Sequence, residues 1–257
     1  MATRFRELFD LTGKSAIVTG ASRGIGAAIA RGLAEFGARV VLSSRKQESV
    51  EAVAAAMRAD GLEATAVAAH MGDEGAIRAL VERTGELHGG VDVLVNNAAT
   101  NPVYGPLLET DQTAFDKIMS VNVKGPLELA RRVHPLMAAR GGGSIINISS
   151  IGGLSPEPMF GLYCISKAAL ISLTGVMARE WAGNGVRVNA ICPGLIQTKF
   201  SAALWDNDAA LQRFLQRIPL GRIGQPEDMV GLAVFLASSA SNYCTGTIFT
   251  ADGGYTI

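Results

Sequence analysis

The sequence predicts a parallel, doubly wound, Rossmann-like sheet of seven strands with helices on both faces, built as a single α/β domain. Three observations predict it. Short apolar runs alternate with helix-length segments along the whole chain, which is the pattern of successive β-α-β units. The first apolar run ends in a glycine turn that opens a helix. The 257 residues, 48% apolar and 18% charged, are enough for one large core, whereas two domains would be cramped.

The elements follow in order. The first strand, Lys14 to Thr19, leads into Gly20-Ala21-Ser22-Arg23-Gly24-Ile25-Gly26 and a helix from Gly24 to Phe36. Glycines here allow a tight turn and bring backbone N–H groups close to a pyrophosphate, and the helix N-terminus adds partial positive charge. Their spacing, three residues and then one, differs from the commoner one-then-two fingerprint. Strands are then expected at Arg39 to Ser43, Ala64 to Ala69, Val91 to Asn96, Ser144 to Ser149, Arg187 to Cys192 and Thr247 to Thr250. Helices fill the gaps at Glu48 to Asp60, Glu74 to His88, Thr113 to Arg140, Tyr163 to Gly183 and Pro226 to Ser239. Gly141-Gly142-Gly143 stops a helix before a strand, and no low-complexity linker or short repeat divides the chain.

In such sheets the ligand binds beyond the carboxyl ends of the strands, where strand order reverses. Thr19-Gly20, Asn96 to Ala99, Ser149-Ser150 and Cys192-Pro193-Gly194 are the expected walls of that cleft.

Charge and composition exclude several functions. The 23 basic and 23 acidic residues cancel and are dispersed, so neither a nucleic-acid face nor an anionic-membrane patch is expected, and the partner is a small molecule. Cys164, Cys192 and Cys244 are scattered, and His70, His88 and His134 join no ligand cluster. The reading is reduced thiols, with neither disulfide framework nor metal site. No apolar stretch reaches the roughly 18 residues that span a bilayer, and Met1 to Asp10 lacks a signal peptide's apolar segment. The ending Tyr255-Thr256-Ile257 is not a peroxisomal address. A cytoplasmic protein is expected.

Tyr163 and Lys167 stand one helical turn apart, on one helix face, with Ser150 thirteen residues upstream of the tyrosine. An ammonium about 4 Å from a phenol favours its anion by roughly 4 kcal/mol at an effective dielectric of 20. The trio can therefore carry proton chemistry. Ser149 competes with Ser150 for the site, and strand alternation sends the two to opposite sides. Cofactor choice is argued from charge. A carboxylate past the glycine turn binds the ribose of NAD and repels the 2′-phosphate of NADP. Here the second strand ends in Ser43-Ser44-Arg45, and Arg45 with Arg23 can clamp that phosphate unless both are merely solvated surface charges.

These residues carry a resemblance along the whole chain to the short-chain dehydrogenase/reductase family. The nucleotide turn matches at Thr19 to Gly26, the motif after the fourth strand at Asn96-Asn97-Ala98, and the helix asparagine at Asn122. The active serine matches at Ser150, the tyrosine and lysine at Tyr163 and Lys167, and the nicotinamide-facing segment at Pro193-Gly194 with Thr198. Within the family the chain is most similar to the dehydrogenase/reductase member 4 group of NADP-dependent carbonyl reductases and retinol dehydrogenases, on Ser43 to Gln47, Asn97 to Pro102, Ser149 to Ile151 with Ser155-Pro156, and Pro193 to Ile196. Ala99 stands where the wider family has glycine, and His70 where an aspartate commonly meets the adenine.

The resemblance implies NADP(H) held by Gly20, Ser22, Arg23, Gly24, Ile25, Gly26, Ser44, Arg45, His70, Met71, Asn97, Ala98, Ala99, Pro193, Gly194, Ile196 and Thr198, together with Tyr163 and Lys167. It implies Tyr163 as general acid or base, Ser150 polarising the substrate oxygen, and Lys167 lowering the tyrosine pKa and binding the ribose. Asn122 would hold a relay water, or else act only as a hydrogen-bonding residue inside its helix. A cap at Leu195 to Ile218 carrying Phe200, Leu204, Trp205 and Phe214, with walls from Pro156 to Phe160 and Pro102 to Tyr104, suggests a lipophilic carbonyl substrate. The alternatives are a 3-oxoacyl thioester reductase and a catalytically silent NADP sensor or scaffold. Relatives imply a homotetramer joined through the two long helices and the C-terminal region. The run Met229 to Ala237 suits that interface or an ordinary core equally.

Overall fold

The computed structural model describes residues 5–206 and 208–257; the first four residues of the stretch Met1 to Asp10, and Asn207 of the expected cap, lie outside the described residues. Seven parallel strands form one sheet in the order β3-β2-β1-β4-β5-β6-β7. They are β1 (Ser15–Thr19), β2 (Arg39–Ser44), β3 (Ala64–Ala68), β4 (Val93–Asn96), β5 (Gly143–Ile148), β6 (Val186–Pro193) and β7 (Ile248–Ala251). The order reverses between β1 and β4, so the switch point lies between the glycine turn and the loop that begins at Asn97.

Helices α1 (Gly24–Glu35), α2 (Gln47–Ala59) and α3 (Glu74–His88) follow the first three strands. Asp73 starts α3 by accepting from the Ala76 N–H, and Gly89 ends it in the left-handed conformation. Strands such as β1, apolar and buried along their whole length, sit between two cores. One core joins α1 and α2 to Val18, Val40, Val95 and Ile146; the other joins α3 to Ile17, Val41, Leu94 and Ile145. At the opposite edge of the central strands, the buried carboxylate of Asp92 accepts from Arg140 at 3.0 and 3.1 Å and from the Ser15 N–H at 2.9 Å.

Two expectations need correction. The single helix expected from Thr113 to Arg140 is α4 (Gln112–Met119) and α5 (Gly125–Ala139) joined by a π turn at Ser120–Lys124. A π turn inserts one residue into the helix, and here it carries Asn122. The segment α6 (Gly161–Trp181), continued to Asn184, is long and apolar enough to cross a membrane by length and composition, contrary to the expected absence of such a stretch. Packing accounts for part of this apolarity: α6 lies against β6, β5 and the π turn and buries Leu162, Leu170 and Met177, while Ile165 and Val176 remain exposed.

The C-terminal run expected as core or interface forms α9 (Val230–Ala237), which packs against α1 and buries Ala233, Val234 and Leu236 in the first core. The cap folds into two short helices, α7 (Ala202–Trp205) and α8 (Asp208–Leu215).

Candidate active site

The carboxyl ends of β1, β4, β5 and β6 open into a cavity of about 690 Å³, within the range of ligand sites. The switch point is stitched by Thr19 and Asn97. The Thr19 hydroxyl accepts the Asn97 and Ala98 N–H groups at 3.0 and 3.1 Å, and the Asn97 carboxamide donates to the Thr19 and Gly20 carbonyls. The glycine turn closes over this pair. Gly20 has φ +66°, and a Cβ on Gly26 would collide with the Asn97 carboxamide and the Gly20 carbonyl, so both positions require glycine.

Helix α1 begins without a side-chain cap, and its first residues Gly24, Ile25 and Gly26 line the cavity. Its unpaired N–H groups face the cavity floor, as a pyrophosphate requires. Beyond them stand Ser44, Arg45, Lys46, Ser49, His70 and Lys117. Together with Arg23 this end presents four cations, and the single carboxylate among the described lining residues, Glu157, belongs to the other end. Lys46 and Lys117 were not singled out from the sequence. Lys46 adjoins Arg45, but Lys117 reaches the site only because α4 passes behind His70, its Nζ 3.4 Å from the His70 Nε2. Burial, then Lys117 and Arg45, lowers the His70 pKa, so the ring is neutral at pH 7. Its Nδ1 accepts the Gly72 N–H at 2.9 Å.

Every expected cofactor residue, from Gly20 to Thr198, lines this cavity, and so do Ser150, Tyr163 and Lys167. The structure brings together the proton-bearing trio and the expected nucleotide residues without Asn122, which is not on the wall. Asn122 is 1% exposed, and both hydrogens of its carboxamide are taken. It donates to the Thr100 carbonyl and the Ser166 hydroxyl, each at 3.0 Å, and accepts the Thr100 N–H at 2.8 Å. With both amide hydrogens taken, this side chain has no donor for a relay water. It clamps the loop after β4 to α6.

Ser149 and Ser150 both reach the wall, since β5 ends at Ile148 and strand alternation no longer applies. Ser149 gives its hydroxyl to the Lys167 carbonyl at 2.9 Å. Ser150 accepts the Gly152 N–H at 3.1 Å, and its hydroxyl favours the ionised form of the Tyr163 phenol. The ammonium of Lys167 donates to the Ile148 carbonyl at 2.8 Å and lies over the Tyr163 ring. Its place is the ring face rather than beside the hydroxyl, so the expected acidification of the phenol is not seen. Burial dominates, raising the tyrosine pKa against the opposing influence of the Ser150 hydroxyl and lowering Lys167 to about 8.

The remaining wall is largely aromatic, with Lys199 of the cap and Glu157 as its charged side chains. Phe200 stands 5.8 Å from the Tyr163 ring, Tyr104 packs edge-on against Phe160, and Leu204 and Phe214 of the cap complete it. Trp205, Pro102 and Pro156, expected as walls, do not line it; the Trp205 indole instead donates to Ser201. Tyr255 and Cys164, missed from the sequence as wall residues, do line it. No group of three His, Cys, Asp or Glu side chains that could hold a metal occurs among the described residues.

The family model described as enoyl-(acyl carrier protein) reductase matches residues 20–256. Dehydrogenase/reductase SDR family member 4 of Oryctolagus cuniculus is 43% identical over 244 residues, covering 95% of this chain and 94% of the relative. Among solved structures, a gluconate 5-dehydrogenase from Burkholderia cenocepacia J2315 in complex with NADP and tartrate superposes with a TM-score of 0.94 at 36% identity, covering 97% of this chain and 98% of that one. A short-chain type dehydrogenase/reductase from Mycobacterium marinum gives 0.92 at 37% identity, with 98% of each chain covered.

Proposed function

The chain belongs to the short-chain dehydrogenase/reductase family, and on that premise we propose that it reduces lipophilic ketones and aldehydes with NADPH, and oxidises the corresponding alcohols with NADP. One observation carries the reading: Ser150, Tyr163 and Lys167 stand at one end of a cavity whose other end carries Arg23, Arg45, Lys46 and Lys117 and no acid. Those cations favour a 2′-phosphate, and Ser44 ends the strand where a ribose-binding carboxylate would repel it.

The residues fit the cofactor. The uncapped start of α1 and the glycine turn would hold the pyrophosphate, Arg45 with Arg23 would hold the 2′-phosphate, and Asn97 to Ala99, Pro193, Gly194, Ile196 and Thr198 would surround the nicotinamide half. When bound, the nicotinamide supplies the hydride. Tyr163, its pKa raised by burial, is protonated at neutral pH and gives its proton to the substrate oxygen. Ser150 donates to the same oxygen and withdraws electron density from the carbonyl. Lys167, near 8, exchanges its proton readily around neutral pH, and its ammonium is anchored on the Ile148 carbonyl over the tyrosine ring. Asn122 keeps the Thr100 loop and α6 in register beneath these groups.

The assembly we propose is a homotetramer. Support comes from apolar side chains left exposed on α4 and α6 (Phe115, Ile165 and Val176) and in the C-terminal region (Tyr243 and Ile257). A light-scattering mass near four chains is expected, and a mass near one chain would contradict it. We also propose a cytoplasmic location, supported by three unpaired cysteines. Fractionation with an organelle would contradict that.

The test of the activity is NADPH absorbance followed against ketones, diketones, retinal and acetoacetyl thioesters. Oxidation with the lipophilic ketones supports the reading. Turnover confined to the thioesters would favour an acyl thioester reductase, and no oxidation with any compound would favour a silent NADP-binding protein.

A further inference from the structure

We propose that Glu157 determines specificity in this cavity, selecting carbonyl compounds whose apolar body carries a hydroxyl or amine remote from the reacting carbon, and rejecting those with a carboxylate there. The proposal rests on the reductase reading above.

Glu157 is the single carboxylate among the described residues of the cavity wall, beside the aromatic side chains Tyr104, Phe160 and Phe200, with Lys199 as the cap's cation on the wall. Its backbone is fixed. Pro156 and Pro158 flank it, each restricting φ, and the next residue, Met159, is held at φ +71°, a conformation that costs a non-glycine residue about 1 kcal/mol. The Met159 carbonyl accepts the Gly105 N–H at 3.0 Å, which ties this loop to the one after β4.

The side chain is fixed as well. The Tyr255 hydroxyl donates to Oε1 at 2.8 Å, and the Arg217 guanidinium donates to the same oxygen at 3.0 Å. Arg217 lies 4.2 Å over the Tyr255 ring, and Phe214 of the cap stacks on that ring with centroids 5.9 Å apart. Two donors from separate segments of chain thus converge on one carboxylate oxygen. Oε2 accepts no hydrogen bond among the described residues. A carboxylate that served only to latch the cap would need no place on the wall, whereas one held rigidly with an acceptor oxygen still unused is arranged to read a ligand. Arg217 is about half exposed, so water screens its charge, and the unused Oε2 is an acceptor that a ligand hydroxyl or amine can satisfy and a second carboxylate, having no proton to give, cannot. The aromatic rings of Tyr104, Phe160 and Phe200 take the apolar body.

The test uses NADPH with three acetophenones that differ only in the para substituent: hydroxymethyl, methoxymethyl and carboxymethyl. For the wild-type protein, kcat/KM is expected to fall in that order by about tenfold per step, the worth of one hydrogen bond to a charged acceptor. Glu157→Gln should bring the three within about twofold of one another. Tyr255→Phe, which keeps the carboxylate, should preserve the order. Glu157→Gln lowering all three alike would reveal a purely structural latch and overturn the proposal. So would a wild-type protein that reduces the carboxymethyl compound as well as the hydroxymethyl one, a comparison that needs no variant to fold. If the wild type reduces none of the three but turns over another class of compound, the reductase reading fails and this proposal falls with it.

Discussion

The Lys167 ammonium lies 5.5 Å from the centroid of the Tyr163 ring and gives its hydrogen bond to the Ile148 carbonyl. Lysine and tyrosine therefore share a buried compartment without touching through their polar atoms. Each is strained toward its neutral form, the phenol upward and the amine down to about 8.

Stability should report this directly. Below pH 8 Lys167 carries its proton in both folded and unfolded chains; between 8 and the ordinary value of 10.5 only the unfolded chain keeps it. The unfolded state then binds more protons, so the contribution of Lys167 to stability rises with pH through this window and is lost as pH falls through it. Relative to Lys167→Met, which cannot titrate, the wild type should gain about 2 kcal/mol between pH 7 and pH 10 in urea unfolding. A constant difference would show that the lysine is not desolvated.

Gly26→Ala should remove nucleotide binding. Its Cβ would enter the space occupied by the Asn97 carboxamide and the Gly20 carbonyl, separating the two loops of the switch point. NADPH titration by fluorescence should show loss of binding, while Gly175→Ala, where a Cβ meets nothing within 4 Å, should bind normally.

Asn122→Ala should cost about 3 kcal/mol, because the Thr100 carbonyl and N–H and the Ser166 hydroxyl each lose a partner in a buried region. Thermal unfolding measures it. A loss below about 1 kcal/mol would mean that the clamp between the Thr100 loop and α6 is not formed.

Arg45→Asp should weaken NADPH binding by about thirtyfold or more while sparing NADH, since it removes a charge-assisted contact and adds repulsion. Equal effects on the two nucleotides would remove the charge argument for NADP.

Much of the fold was legible because a buried parallel strand declares itself as a short apolar run and a covering helix as the segment between two such runs; α3 fell at its expected bounds, Glu74 to His88. The glycine turn was legible for a similar reason, since Gly20 and Gly26 are dictated by backbone contacts that the motif encodes. The π turn at Ser120–Lys124 was not, because an inserted residue leaves the helical composition unchanged. Nor was the charge state of Tyr163 legible. Spacing places Lys167 on the same helix face, but only coordinates show the ammonium turned toward Ile148. Glu157, Arg217 and Tyr255 lie far apart in sequence, and no local pattern marks residues that meet only through the cap and the C-terminus.

The central claim is that the Tyr163 phenol carries the proton of the reaction. Tyr163→Phe keeps the ring against Phe200 and removes only the hydroxyl. Turnover of a ketone accepted by the wild type should fall by about a thousandfold or more, with NADPH affinity measured in parallel within about threefold of wild type. Retained turnover at intact NADPH affinity would contradict the account.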